Sequence, residues 1–498
     1  MILRRSKIVA TLGPASSDDA TLARLLQAGA DVIRLNLSHG NQDDHRRMIH
    51  AVRRISAEQG RFVPVFMDLM GPRFRLGTIE DGPRPLQAGD MVHLGDKASG
   101  ADLPIEDTSF LSHMRRGERI LIDNGLLELV VEAKHAESVK ARVVTGGDVS
   151  TRKGINLPDT DLPFSISDKD ASDIDFAVAE GVDYLAVSFV GGPSDLRAVR
   201  KRVQQAGGNQ PLIAKLERAT VTQRIAETVA ETDAVMVARG DLGVEVPLHE
   251  VPILQKKIIE AGRQQGKPVI VATQMLESMM DHPRPTRAES TDVANAVFDG
   301  TDALMLSGET AAGKYPVEAV TTMARIIREA EAYMNAPSAN TRRNDDDYLD
   351  RFQGPLTPNA EEQRRLTARD KHLHIPEVVA AASVFAGNRM KLRQIVAFSQ
   401  GGFTARMIAR YRPRTPILVF TRDEGTARRI NLVWGVRTLL LTEEVEHHDE
   451  VVRLVDKRLL AERMADPDDV IMIMMGDPVK ERPLTNLMRV HRVRAEGN

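Results

Sequence analysis

Glu217 and Asp241 each stand just beyond a short apolar run, Leu212-Ile213-Ala214-Lys215 and Ala234-Val235-Met236-Val237-Ala238-Arg239. Two carboxylates at the ends of neighbouring runs can share one Mg²⁺, a hard cation that takes one or two carboxylates and fills its shell with substrate oxygens and water. Lys215 and Arg34 add fixed positive charge of the kind that holds a phosphoryl or enolate group. Cationic clamps beside a hard divalent ion are the equipment of phosphoryl transfer, where catalysis is mostly positioning and charge neutralisation. Any one of these side chains, taken alone, also makes an ordinary ion pair. Their joint placement at the ends of successive apolar runs speaks for chemistry.

The elements that must position them form a series. After Lys7–Thr11, Val32–Asn36 and Pro64–Asp68 come Tyr184–Ser188, Leu212–Lys215, Ala234–Arg239, Val269–Thr273 and Ala303–Ser307, all short and rich in Val, Ile and Ala. Such runs read as strands buried on both faces. Amphipathic stretches of helical period lie between most of them, for instance Ala20–Gln27 and Asp168–Ala179, the latter opened by a capping signal at Ser167. Eight strand–helix units predict a (β/α)8 barrel, an α/β TIM barrel whose strand C-termini converge on one face. Those ends supply Thr11, Arg34, Asn36, Ser38, Asp68, Ser188, Lys215, Glu217, Arg239, Asp241, Thr273, Gln274, Ser307 and Glu309.

The repeat is lost between Asp68 and Tyr184. There the turn signals Asp81-Gly82-Pro83 and Asp123-Asn124-Gly125 and alternating runs such as Leu126–Val130 predict a β-rich insertion. A polar stretch rich in Asn, Arg and Asp breaks the pattern again after the eighth unit. Beyond it Ile395–Phe398, Ile417–Phe420, Thr438–Leu441 and Val470–Ile473 alternate with helical patterns, which predicts a C-terminal doubly wound α/β domain. The expected plan is a barrel over 1–71 and 154–334, a β-rich lid over 72–153, a linker or insertion over 335–374 and an α/β domain over 375–498.

Composition removes whole classes of function. Of 498 residues, 67 are Lys or Arg and 70 Asp or Glu, so a formal charge of −3 carries no sign of a nucleic-acid binder. No apolar run reaches the ~18 residues that span a bilayer, and the N-terminus lacks a signal peptide's order, so no membrane association and a cytoplasmic location are expected. The absence of cysteine excludes disulfides, thiolate catalysis and Cys-ligated zinc. No Walker loop, dinucleotide glycine fingerprint or HExxH pair occurs. The Met-rich run Met472-Ile473-Met474-Met475 reads as strand core.

Seven segments carry a resemblance: KIVATLGPAS at 7–16, VIRLNLSHG at 32–40, IAKLE at 213–217, MVARGDLGVE at 236–245, VATQMLESM at 271–279, RPTRAESTDVANAVFDGTDALMLSGETAAGKYP at 284–316 and ARYRPRTPI at 409–417. In this order they make the chain resemble the pyruvate kinases over nearly its whole length. The resemblance implies phosphoryl transfer from phosphoenolpyruvate to ADP, giving pyruvate and ATP, the last step of glycolysis, with Mg²⁺ as cofactor. It implies that Lys215 neutralises the transferring phosphoryl group and the developing enolate, and that Glu217 and Asp241 hold Mg²⁺. The backbone at Arg239 and Gly240 would bind the substrate carboxylate beside Thr273. Arg34 would touch the phosphoryl group, and Ser188 with Phe189 would complete the pocket wall. Asn36, Ser38, Asp68 and the Leu69 carbonyl match the family's potassium site. Thr11, Pro14, His39, Arg75 and Lys153, together with Asn36 at its loop, match positions lining the nucleotide, and Arg75 and Lys153 would swing in with the lid. A homotetramer is the family's expected assembly.

The departures carry expectations of their own. The family's Asp-Thr-Lys-Gly-Pro-Glu or -Lys is here Asp68-Leu69-Met70-Gly71-Pro72-Arg73. Potassium-dependent members carry Glu at the position of Arg73 and independent ones Lys, so a guanidinium there predicts that K⁺ is dispensable. Ala312 replaces a nucleotide-facing Lys of some members, with Lys314 nearby. Ser399, Gly401, Gly402 and Thr404 resemble the family's loop for an effector phosphate. The segment 477–486 lacks the glycines of members activated by fructose 1,6-bisphosphate, which leaves another sugar phosphate, a nucleotide monophosphate or no effector. Two other readings stay open at this point: a carbon–carbon lyase or mutase using Mg²⁺ and an enolate without ADP, and a non-catalytic metabolite sensor. The lid with Arg75 and Lys153 speaks against the first. Retention of Lys215, Glu217, Asp241 and Thr273 together speaks against the second.

Overall fold

The computed structural model describes residues 4–80, 82–135, 138–336, 368–390, 392–443, 445, 447–476 and 485–495. Eight parallel strands, Lys7–Thr11, Val32–Asn36, Val65–Asp68, Tyr184–Val187, Leu212–Leu216, Ala234–Ala238, Val269–Ala272 and Ala303–Leu306, close a barrel. Around the ring the first strand is followed by the eighth, then the seventh down to the second. Nearly every residue of these strands is buried, as strands wrapped by helices on the outside and filled with side chains inside must be. By the density of its contacts the chain divides into two compact units, one of residues up to 33, 50–65 and from 275 onward, the other of 34–49 and 66–274.

In the second unit the third to seventh strands run in parallel register, with Asp68 beside Ala186 and Lys215 beside Met236. The helix Asp168–Ala179 starts where the capping signal placed it, with the Ser167 side chain accepting from the Asp170 N–H. The β-rich insertion is a seven-stranded sheet between Phe74 and Asn156 plus a two-stranded ribbon, around an apolar core of its own that includes Leu94, Phe110, Ile120, Leu129 and Val139. Asp123, Asn124 and Gly125 all have positive φ (53°, 56° and 81°), the tight turn that joins Arg119–Ile122 to Leu127–Lys134. The alternating strand starts one residue later than the sequence pattern suggested, because Leu126 belongs to the turn and is exposed.

In the first unit the C-terminal sheet has the order Val436–Leu440, Ile417–Thr421, Ile395–Phe398, Val470–Met475, Leu487–Arg492. The first four strands are parallel, and the order reverses between Ile395–Phe398 and Val470–Met475, as in doubly wound folds. The Met-rich run is the buried core of its strand, as expected. The fifth, antiparallel edge strand Leu487–Arg492 is a finding the sequence reading did not contain. Most of the expected linker, 337–367, lies outside the described residues, and its expected end at 374 falls inside the helix Ala368–Met390.

This sheet is fastened to the N-terminal ends of the first and eighth barrel strands. Lys7 Nζ donates to the Val436 carbonyl at 2.8 Å and to Asn431 Oδ1 at 3.3 Å. Asp302 accepts from Arg412 (2.9 and 3.1 Å) and from the Trp434 N–H (3.0 Å). The Trp434 indole is nearly buried, with two guanidiniums over its ring, Arg5 at 5.3 Å and Arg412 at 5.0 Å from the centroid.

Burial dominates at Lys7 and, against the pull of Asp31, lowers its pKa from 10.5 to about 8; Arg4 and Arg61 push the same way and Glu331 opposes. The folded state therefore binds fewer protons than the unfolded chain between these two values, so the penalty is full below about 8 and fades as pH rises toward 10.5. The stability of the wild type relative to Lys7→Met is expected to rise by about 2 kcal/mol between about pH 7.5 and 10. Urea unfolding of both proteins at the two pH values measures this, and equal differences at both would refute it.

Candidate active site

The fifth barrel strand carries Lys215, whose side chain ends among a group of polar side chains. Its ammonium donates to Ser188 Oγ at 2.7 Å and lies 3.4 Å from Asp68 Oδ1 and 3.3 Å from Glu217 Oε2. Ser188 Oγ in turn donates to the Leu69 carbonyl at 2.7 Å. Arg34, in the middle of the second strand, pairs with Asp68 Oδ2 through Nε at 2.9 Å and through a terminal nitrogen at 2.7 Å. Arg34, Asp68, Leu69, Ser188, Lys215 and Glu217, six candidates from the sequence, are thus one contiguous cluster.

Its electrostatics follow from burial with partial pairing. Burial alone would raise the Asp68 carboxyl, but Lys215 and Arg34 hold it below its ordinary value. Burial alone would lower Lys215, and the carboxylates of Asp68, Glu217 and Asp241 reverse that, so the amine stays charged. Glu217 is the exception. Burial raises its carboxyl to about 7; Lys215 pulls it back, and Asp241 and Asp68 push it further up. Its Oε1 accepts from the Phe189 N–H at 2.6 Å, whereas Oε2 is buried without a hydrogen bond. Two cations face three carboxylates here. A buried carboxylate oxygen that makes no hydrogen bond and only a 3.3 Å ion pair with Lys215, next to a second carboxylate at Asp241, is a donor set that a hard divalent cation fits.

The neighbouring segments are strained where they approach this cluster. Phe189, Thr273 and Gln274 all have positive φ (55°, 69° and 55°). Thr273 Oγ1 accepts from the Gly240 N–H at 2.7 Å and donates to the Ala272 carbonyl at 2.6 Å, and Arg239 donates to the Thr273 carbonyl at 2.8 Å. Arg239, Gly240 and Thr273 are therefore brought together, with the Gly240 N–H held by Thr273. Gly71, where the chain leaves for the insertion, has φ +67°, and a Cβ there would stand 2.9 Å from Ser188 Cβ. Only glycine lets the backbone pass so close to the cluster.

Asn36 ends the second strand, and Ser38 and His39 follow in the loop after it. Asn36 Oδ1 accepts from the Ser38 N–H at 3.2 Å, and the Leu37 N–H donates to the Asp68 carbonyl at 3.1 Å. The exposed Arg73 lies over the Phe189 ring at 5.8 Å. A cleft of about 640 Å³ joins Arg73, Arg75, Lys153 and Asp241. Within it Lys153 pairs with Asp123 at 2.7 Å, and Arg75 donates to the Arg152 carbonyl at 3.1 Å.

Thr11 and Pro14 belong to the other compact unit. Thr11 Oγ1 donates to the Leu306 carbonyl at 2.8 Å and Pro14 is exposed. Glu309, read as one of the polar strand ends, is a backbone clamp: it accepts from the Leu276 N–H at 3.1 Å and the Ser307 N–H at 2.7 Å. Lys314 pairs with Asp281 at 2.8 Å on the surface. In the C-terminal domain a second cleft of about 910 Å³ is lined by Ser399, Gly401, Thr404, Arg422 and the stacked rings of Phe398 and Phe420. Gly402, with φ +76°, turns the loop into the helix Phe403–Ala409, and Thr404 hydrogen-bonds Thr485 at 2.5 Å. The segment 477–484 lies outside the described residues.

Sequence reasoning missed Glu245, Asn156 and Arg218 in the first cleft and Asp170, which accepts from the Gly71 N–H at 3.3 Å. One signal was available: Glu245 follows Asp241 by a single helical turn, on the same face.

Comparisons with known proteins converge. Two family models match, "Pyruvate kinase, barrel domain" over residues 3–320 and "Pyruvate kinase, alpha/beta domain" over residues 377–491. The chain is 40% identical over 498 residues to a pyruvate kinase of Mycobacterium tuberculosis, covering 98% of both. It is 37% identical over 497 residues to one of Sporosarcina psychrophila, covering 98% of this chain and 80% of that one. A crystal structure of a pyruvate kinase from Cryptosporidium parvum superposes with a TM-score of 0.87 at 30% identity, covering 98% of this chain and 96% of that one.

Proposed function

Since the chain belongs to the pyruvate kinase family and is a phosphotransferase, we propose that it moves the phosphoryl group of phosphoenolpyruvate to ADP with Mg²⁺ at Glu217 and Asp241. The observation that carries this reading is the buried Lys215 ammonium, 2.7 Å from Ser188 and flanked by Asp68 and Glu217. In the reaction the bond between phosphorus and the enol oxygen breaks, a bond forms to the terminal oxygen of ADP, and the electron pair stays on the enolate. A proton then adds to the methylene carbon to give pyruvate. Lys215 and Arg34 lie where charge shifts between these groups, so fixed cations there stabilise the transition state without reorganising. Bound Mg²⁺ supplies further neutralisation of phosphoryl and carboxylate oxygens.

Gly240 orients the substrate carboxylate when Thr273 releases its N–H, and Thr273 Oγ1 is then near the methylene carbon. Arg75 and Lys153, on the inserted sheet, take the nucleotide phosphates beside His39, and closing of that sheet excludes water. Asn36, Ser38, Asp68 and the Leu69 carbonyl form the site where other family members hold K⁺, and Arg73 replaces the ion's charge. The C-terminal cleft around Ser399–Thr404 is read as an effector site for a sugar phosphate or nucleotide. A homotetramer acting at the last step of glycolysis in the cytoplasm completes the proposal; among the described residues no helix is long and apolar enough to cross a membrane.

Pyruvate formation from phosphoenolpyruvate and ADP is expected with Mg²⁺ and not in EDTA. A folded protein that turns over neither way would refute the reading.

A further inference from the structure

Glu245 is a buried carboxylate that none of the roles above uses. It closes the short helix Arg239–Glu245, one turn after Asp241, and both residues line the 640 Å³ cleft. The Asn156 side-chain amide donates to Glu245 Oε1 at 3.3 Å. The Glu245 carboxylate also accepts from the backbone N–H of Ala219, two residues beyond Glu217, and lies within reach of the Arg218 charge. One carboxylate thus touches three segments: the helix of Asp241, the loop that continues from Glu217, and the foot of the strand Gly154–Asn156.

That strand carries the inserted sheet's return to the barrel. Lys153 immediately precedes it, Gly154 pairs with Arg75, and Asn156 pairs with Leu121. The two cations read as nucleotide clamps therefore hang from the strand whose foot Asn156 ties to Glu245. Arg218 and the Ala219 N–H already serve the carboxylate from the barrel side. The Asn156 amide is the link that comes from the insertion.

We propose that Glu245 is a positioning residue for phosphoryl transfer: through Asn156 it couples the placement of the inserted sheet, and with it Arg75 and Lys153, to the two segments that carry Glu217 and Asp241. The proposal rests on the pyruvate kinase reading of the site. It implies that the link works in both directions, since a coupling between two sites is reciprocal. Loosening the sheet weakens metal binding at the barrel, and loading the metal steadies the sheet.

Asn156→Asp sets one carboxylate against another and breaks the link. The double variant Asn156→Asp/Glu245→Gln restores it with donor and acceptor exchanged, because the glutamine amide donates to the introduced aspartate while its oxygen still accepts from Ala219. In Asn156→Asp, hydrogen exchange of the 154–156 amides is expected to accelerate about tenfold or more. The Mn²⁺ dissociation constant, read by electron paramagnetic resonance without nucleotide or phosphoenolpyruvate, is expected to rise several-fold. KM for ADP rises about tenfold while kcat at saturating metal and ADP stays within about threefold. The double variant returns all of these to within about twofold of wild type. Asn156→Ala, which removes the donor without adding charge, gives the same shifts at smaller size if the aspartate fails to fold. Wild-type exchange and Mn²⁺ affinity in both single variants, or a double variant worse than Asn156→Asp, would overturn the proposal. Absence of wild-type turnover would refute the pyruvate kinase reading instead, and the exchange and Mn²⁺ arms would still judge the link.

Discussion

Replacing Lys215 with methionine is expected to lower kcat by roughly 10³- to 10⁵-fold, the range found when a fixed cation is removed from a phosphoryl-transfer site. Methionine fills a similar volume, so the barrel interior stays packed. What disappears is the charge. The ammonium is buried and held at 2.7 Å by Ser188, so water cannot stand in for it. Asp68 keeps its pair with Arg34, and Glu217, whose carboxyl already sits at about 7, can take a proton. The variant should therefore fold, and its circular dichroism should match wild type while its turnover collapses. Steady-state assays with saturating phosphoenolpyruvate, ADP and Mg²⁺ measure the effect. A loss smaller than tenfold would remove Lys215 from the chemistry.

Potassium comes next in size. Rates in potassium, sodium and tetramethylammonium salts are expected to agree within about twofold for the wild type. In Arg73→Glu the potassium-free rate is expected to fall ten- to hundredfold and to be restored by K⁺. The exposed Arg73 guanidinium lies over the ring of Phe189, whose N–H donates to Glu217 at 2.6 Å, so its charge stands one residue away from the cluster. A ten- to hundredfold change corresponds to about 1.4 to 2.8 kcal/mol. Strong activation of the wild type by K⁺ would refute the idea.

Strands of the barrel were legible to within a residue or two because each is buried on both faces and so must be a short apolar run. Val32–Asn36 and Lys7–Thr11 coincide with their runs. The edge strand Leu487–Arg492 was not legible: it is half-exposed, and its Leu-Met-Arg-Val-His-Arg sequence has no apolar/polar alternation that stands out, its Met488 and Val490 being exposed. Among the site residues, types and positions at strand ends were readable, since a barrel aims them all at one face. Their hydrogen-bond partners were not. Nothing in the order of residues says that Glu309 clamps two backbone N–H groups while one oxygen of Glu217 makes no hydrogen bond. That difference arises from whether a loop folds back over the carboxylate, which depends on contacts between segments distant in sequence.

The packing of Arg5 and Arg412 over the Trp434 ring gives the chain an optical label of its own. Trp434 is the single tryptophan of the sequence, and all three residues lie where the C-terminal sheet meets the bottom of the barrel. Every photon emitted by indole therefore originates at that seam, from a ring shielded from water and flanked by two guanidiniums. Its emission wavelength and its accessibility to iodide report the seating of this sheet alone, without dye, fusion or background from the catalytic end.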